Sequence, residues 1–372
     1  MLIMPIITLF YQENGLGMKD VLLLQGVYSV AIVILEIPSG YFADIWGRKN
    51  TLIIGSILGV LGFATYSFTA GFWGFLLAEL ILGIGQSFIS GSDSALLYDT
   101  LKEEGRENEY VKLEGRVLSI GNFAETIAAI IGGFIAEISL RTPFVVQTFI
   151  AMIAVPAAFA LVEPYRKLEI KDRWKSTVIT LKETILQNKE MQILIIFTAF
   201  IGTATLTMAW FIQPYLKDIL KLTISEIGIT LAVLNLIVGL TSLIAYKIEH
   251  VIGRKYSLLF IILGISSSYI FMGLVEHRSI LIIIALFYFT RGIATPVLKD
   301  YINRISTSDI RATVLSVRNF AIRVVFAIFG SFLGWFSDLY SIKSALILAG
   351  IIIFSASFST FLFYYKLVNR KI

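Results

Sequence analysis

The chain has 372 residues, 57% of them hydrophobic and only 15% charged, with a mean hydropathy of +0.82. Soluble domains carry about 25% charged residues, so this composition excludes an ordinary soluble domain. The net charge of +5 is scattered between apolar runs, which argues against a nucleic-acid-binding surface, and the absence of cysteine excludes a disulfide framework or a thiolate metal site.

In chain order, the apolar runs are long enough for transmembrane helices, and no alternating ten-residue pattern suggests a β-barrel. The first run, residues 2–11, is about half the length needed to cross a bilayer core of about 30 Å. It reads as the second half of a first helix whose beginning is absent. Full spans are predicted at 21–44, 51–70, 72–100, 113–137, 143–162, 191–213, 226–250, 256–275, 279–303, 312–337 and 341–366. The stretch 163–190 is the one long polar segment. Within it Trp174, Val178, Leu181 and Ile185 recur at helical spacing, which predicts an amphipathic helix lying on the membrane surface. The expected organisation is a first helical bundle (1–162), this connecting loop (163–190) and a second bundle (191–372).

Lysine and arginine concentrate in alternate gaps. One set holds Arg48 and Lys49, then Lys102, Arg106, Lys112 and Arg116, the connecting loop, Lys247, Arg254 and Lys255, Lys299, Arg304, Arg311 and Arg318, and the tail. The positive-inside rule places that set, the connecting loop and the C-terminus in the cytoplasm.

The halves repeat each other. Val117-Leu118-Ser119-Ile120-Gly121-Asn122-Phe123 returns as Val314-Leu315-Ser316-Val317-Arg318-Asn319-Phe320. Gly91, Leu97 and Asp99 return as Gly292, Leu298 and Asp300. The segment GYFADIWGRK (Gly40–Lys49) returns in worn form as EHVIGRK (Glu249–Lys255). Duplicated halves with a site between them are a transporter architecture.

A charge at membrane depth costs about 2.5–3.5 kcal/mol on insertion scales and normally faces a cavity or a partner. Glu125, Arg291 and Arg323 fall near span centres. Glu36 and Asp93 lie nearer the cytoplasmic ends, and Glu79 nearer the outside.

GYFADIWGRK resembles the signature loop of the major facilitator superfamily, G-x-[LF]-A-D-x-x-G-R-[RK], at Gly40, Ala43, Asp44, Gly47, Arg48 and Lys49. The resemblance implies an all-α integral membrane fold of two six-helix bundles in pseudo-two-fold arrangement, working by alternating access. It implies that spans one, four, seven and ten line a cavity. Arg291 is then a substrate-facing residue with Glu79 and Asp93 across from it, and Glu125 faces Asn235. Glu36 is expected to pair with Arg318 or Arg323 at the seam. Asp44, Arg48, Lys49 and Asp99, with Arg254, Lys255 and Asp300 in the second half, form a cytoplasmic gate. Arg48 is expected to meet Asp99, Arg254 to meet Asp300, and Asp44 to approach the helix start near Ala312. The chain departs from the family pattern where Glu79 replaces an arginine four residues before Gly83-Ile84-Gly85. It departs again where Ala128-Ala129 stands in place of a Gly-Pro before Gly132-Gly133.

The expected function is gradient-driven export of drug-like or amphipathic compounds by a monomer in a bacterial cell membrane. The alternative is a carrier of an anionic metabolite, motivated by Arg291 and Arg323. A non-transporting sensor or scaffold is the reading from another class. No nucleotide-binding GxxxxGK[ST], no HExxH and no GxSxG occurs, so ATP, metal or nucleophilic enzyme chemistry is not expected and no cofactor is called for.

Overall fold

The computed structural model describes residues 1–90, 92–106, 109–164, 188–305 and 311–369. Among them every regular element is helical: α1 (Ile7–Glu13), α2 (Met18–Trp46), α3 (Arg48–Phe68), α4 (Gly71–Ile89), α5 (Ser92–Glu103), α6 (Tyr110–Ala136), α7 (Thr142–Ala160), α8 (Lys189–Pro214), α9 (Ile224–Leu274), α10 (Ile280–Arg304), α11 (Arg311–Leu339) and α12 (Ile342–Asn369). A π-helical turn, Tyr215–Ile219, continues α8. Nine helices among the described residues are long and apolar enough to cross a membrane. One of them, α9, is 51 residues long and is broken at Gly253, where φ is 76°, so it accounts for two of the predicted spans. The predicted span 113–137 falls on α6, whose described apolar part is Phe123–Ala136. The helix predicted at 174–185 lies outside the described residues.

Two boundaries differ from the sequence reading. The predicted span 72–100 is two helices, α4 and α5. Ser90, Ser92, Asp93 and Ser94 explain the break, because short polar side chains compete for backbone hydrogen bonds and favour helix starts over interiors. Asp93 acts in that way, its Oδ1 accepting the Ser94 amide at 2.7 Å. The two spans predicted on either side of Gly253 meet without an intervening loop.

The chain forms two compact units. One comprises Met1–Ile170 with Thr223–Ala232, and the other Lys171–Leu222 with Val233–Ile372. In the first, α3 packs against α4 and α7, and α2 against α4. Gly55 and Gly85 bring α3 and α4 together so closely that a Cβ on Gly55 would stand 3.0 Å from the Gly85 carbonyl. The start of α9 joins this unit through Gly228, where a Cβ would lie 3.0 Å from Cα of Gly133. In the second unit α8 is the packed centre, lying against α10, α11 and α12. Its Met191, Phe197, Ala204, Met208 and Phe211 are all buried.

Candidate functional site

The first GRK turn is built on a backbone conformation open to glycine. Gly47 has φ 96° and ψ 148°, a region that β-carbon sterics deny to other residues. The turn ends α2 and starts α3 within one residue. The exposed amides at the start of α3 need acceptors, and Glu163 supplies them from just beyond α7. Its Oε1 accepts the Arg48 amide at 2.9 Å and its Oε2 the Lys49 amide at 2.6 Å. A carboxylate also suits the positive end of the helix dipole. Arg48 then projects to α5, pairing with Asp99 at 2.6 Å and donating to the Ala95 carbonyl. Thr51 closes the turn by donating to the Gly47 carbonyl at 2.8 Å. The side chain of Asp44 and the residue Ala312 lie outside the described side chains.

The second turn repeats the glycine conformation, with Gly253 at φ 76° and ψ 164°, but not the partner. Asp300, expected to meet Arg254, instead holds Arg304 one helical turn further along α10, at 2.7 Å. Arg254 lies 3.5 Å from Glu190, at the start of α8. Its guanidinium is sandwiched between the rings of Tyr301 and Tyr364, 4.5 Å and 4.9 Å from their centroids. The tyrosine hydroxyls complete the cluster, Tyr301 donating to Glu249 at 2.9 Å and Tyr364 to Glu190 at 3.3 Å. Lys255 sits over the ring of Tyr365 at 4.7 Å.

The other predicted residues fall as follows. Glu79 is buried in the first unit, ringed by neutral donors. The Tyr11 hydroxyl donates to its Oε1 at 2.6 Å, Gln25 Nε2 donates to the same oxygen, and the Tyr66 hydroxyl reaches both Tyr11 and Glu79. Asp93 is exposed, its carboxylate accepting the Ser94 amide as already described. Glu125 is on the exposed face of α6, where the Met1 amino group feels its charge. Asn235 is exposed on α9. Arg291 is half-buried on α10, 5.7 Å from the centroid of the Tyr288 ring. Glu36 is half-buried on α2 and Arg323 half-buried on α11. Arg318 is occupied locally, donating to its neighbour Asn319 at 3.1 Å, which leaves its Nε without a partner.

Several residues of these sites escaped the sequence reading. Glu163 and Glu190 flank the connecting segment and carry no local pattern. Tyr301, Tyr364, Tyr11, Tyr66 and Gln25 read as ordinary amphipathic residues near helix ends. A search for acids at the boundaries of the polar connecting stretch would have found Glu163 and Glu190.

A family model described as Major Facilitator Superfamily matches residues 1–208 and 195–371. An uncharacterised MFS-type transporter of Methanocaldococcus jannaschii is 23% identical over 269 residues, 71% of this chain and 67% of that protein. Multidrug resistance protein 2 of Bacillus subtilis is 25% identical over 68% of this chain and 62% of its own length. Quinolone resistance protein NorA of Staphylococcus aureus is 24% identical over 45% of this chain and 42% of its own length. The crystal structure of the nucleoside transporter NupG superposes with a TM-score of 0.81 at 13% identity, covering 98% of this chain and 94% of the other. The fold is therefore that of these transporters, and the chain, a multi-pass membrane protein, belongs to the Major Facilitator Superfamily.

Proposed function

We propose that the chain is a secondary active transporter that exports amphipathic, drug-like compounds by alternating access, driven by a proton gradient. In this reading it works as a monomer in a bacterial inner membrane, with both GRK turns and the C-terminus in the cytoplasm. The observation that carries the reading is the pair of GRK turns. Each rests on a glycine at positive φ, and each aims an arginine at a carboxylate on another helix of its unit. Contacts of that kind add stability to one arrangement of helices over another, which is what a two-state cycle requires. Export is supported by the names of two relatives, a multidrug resistance protein and a quinolone resistance protein.

The test is ethidium flux in proteoliposomes holding the purified protein under an imposed pH gradient. Accumulation that collapses with a protonophore is expected. Flux indifferent to the gradient, or none above empty liposomes, refutes the reading.

A second reading, transport of an organic anion, has its own observation. Arg291 and Arg323 lie on membrane helices of the second unit, and neither forms a salt bridge among the described residues. Lone arginines at that depth are costly, and an anionic substrate offsets that cost. Loss of anion transport in Arg291→Ala with ethidium transport intact favours this reading.

A further inference from the structure

We infer that Glu79 is the proton-binding carboxyl of this transporter, loaded from one face of the membrane through the hydroxyls of Tyr66 and Tyr11. The inference rests on the proton-coupled reading above and names the residue that performs the coupling.

The site is built by four helices of the first unit. Glu79 of α4 is 4% exposed. It lies about two turns in from Gly71, roughly 12 Å along the helix axis. The groups facing it are Tyr11 from α1, Gln25 from α2 and Tyr66 from α3. A third ring, Phe75 of α4, lies 5.2 Å from Tyr11 and 5.4 Å from Tyr66. Phe144 of α7 closes the cluster 5.2 Å from Tyr66. No cation among the described residues reaches the carboxyl. The nearby cation, Arg141 just before α7, is engaged elsewhere. It donates to the carbonyls of Ser67 and Thr69 at 2.9 Å and 2.8 Å and to Asn14 at 3.2 Å, and it lies over the Phe10 ring.

The chemistry selects a proton over other cargo. A carboxylate buried among apolar rings without a counter-ion is costly to keep charged, so binding a proton is the cheapest way to discharge it. The three donors offset part of the cost of the charged form, so that form is also attainable. Both protonation states therefore have support, which a carrier needs. A sodium ion is excluded by the ligand set, because the polar hydrogens of Tyr11, Tyr66 and Gln25 point toward the carboxyl and hard cations need several oxygens directed at them. An organic cation is excluded by the burial, since the rings and donors already fill the contact surface of the carboxyl.

The geometry also supplies a route. Tyr11 is two residues from the end of α1 and Tyr66 two from the end of α3, at the membrane face where Arg141 sits. The charge pattern makes that face the outer one. A proton arriving at the Tyr66 hydroxyl displaces that group's own proton to Tyr11, and Tyr11 passes its own to Glu79. Each hydroxyl ends with one proton, and the carboxylate becomes a carboxylic acid. Release to the cytoplasm, with Glu79 again a carboxylate, closes the cycle.

The experiment uses the full chain in proteoliposomes, with ethidium as the probe and Glu79→Gln as the variant. Gradient-driven uphill flux is expected to fall at least ten-fold, while ethidium counterflow, which moves no net proton, stays within about two-fold. Uphill flux persisting in Glu79→Gln overturns the assignment. So does loss of both fluxes in a variant that melts like the wild type. A readout independent of any substrate comes from infrared difference spectra between acid and alkaline buffer. A protonated-carboxyl stretch present in the wild type and absent from Glu79→Gln is expected, and identical spectra overturn the inference. If Glu79→Gln fails to fold, Tyr66→Phe and Tyr11→Phe leave the carboxyl in place. The midpoint of the infrared titration must then move, and an unmoved midpoint counts against the inference. Wild-type protein that shows the titrating band but no ethidium flux refutes the export reading and not the proton site.

Discussion

Replacing Glu163 by alanine tests whether the first GRK turn is held from outside its own sequence. The side chain accepts two backbone amides at the start of α3, at 2.9 Å and 2.6 Å. Hydrogen bonds to a charged group are each worth about 1.5–3 kcal/mol, and loss of a helix cap costs about 0.5–2 kcal/mol. Glu163 is half-buried, so water can reach part of the vacated site and the lower end of both ranges applies. Glu163→Ala should therefore destabilise the protein by about 2 kcal/mol, a fall in melting temperature on the order of 5 °C. Glu163→Gln keeps one acceptor oxygen and loses the charge that complements the helix dipole, so it should lose about half as much. Thermal denaturation of the detergent-solubilised protein, followed by the monomer peak in size-exclusion chromatography, measures both. Alanine and glutamine variants that melt with the wild type refute the argument. So does a glutamine variant as damaged as the alanine one, because the loss would then come from the charge alone and not from the geometry of two amides.

Three other outcomes follow from the same turns. Arg48 and Asp99 have side chains 17% and 21% exposed, so a double-mutant cycle of Arg48→Ala and Asp99→Ala should show a coupling of about 1 kcal/mol; additive losses would mean the pair contributes nothing. Arg254→Lys keeps the charge but gives up the flat guanidinium stacked between Tyr301 and Tyr364, and thermal denaturation should register a loss of about 1–2 kcal/mol. Gly253→Ala forces a β-carbon into φ 76° and should cost about 1–3 kcal/mol. Gly239→Ala, at an exposed helical site where an added Cβ meets nothing within 4 Å, should stabilise by up to about 1 kcal/mol; similar losses at both glycines would remove the conformational explanation.

Much of the helical architecture was legible because membrane helices announce themselves by length and hydropathy, and because repeated motifs such as VLSxxNF cannot arise from apolar composition alone. The Arg48 partner was legible too, since Asp99 lies at the end of its predicted span, beside the gap that holds the basic residues. The same reasoning failed for Arg254. It carried the first half's pairing over to Asp300, but Arg304 stands one turn from Asp300 on the same helix and takes it first. The partners of Glu79 were not legible, because Tyr11, Gln25 and Tyr66 come from three segments and each looks locally like a residue at a membrane boundary. The break before Asp93 was hidden because the apolar run of α4 and the short apolar stretch Ala95-Leu96-Leu97 of α5 read as one element.

Glu163 and Glu190 also have a joint consequence. They stand at opposite ends of the polar segment that joins α7 to α8, and each is fastened to a GRK turn, Glu163 to the amides of the first and Glu190 to the arginine of the second. The duplication thus kept the glycine corner and left each copy to recruit its own acid. The first corner is fixed through its backbone amides and the second through its arginine side chain, so loss of the arginine should leave the first corner capped and the second without its carboxylate.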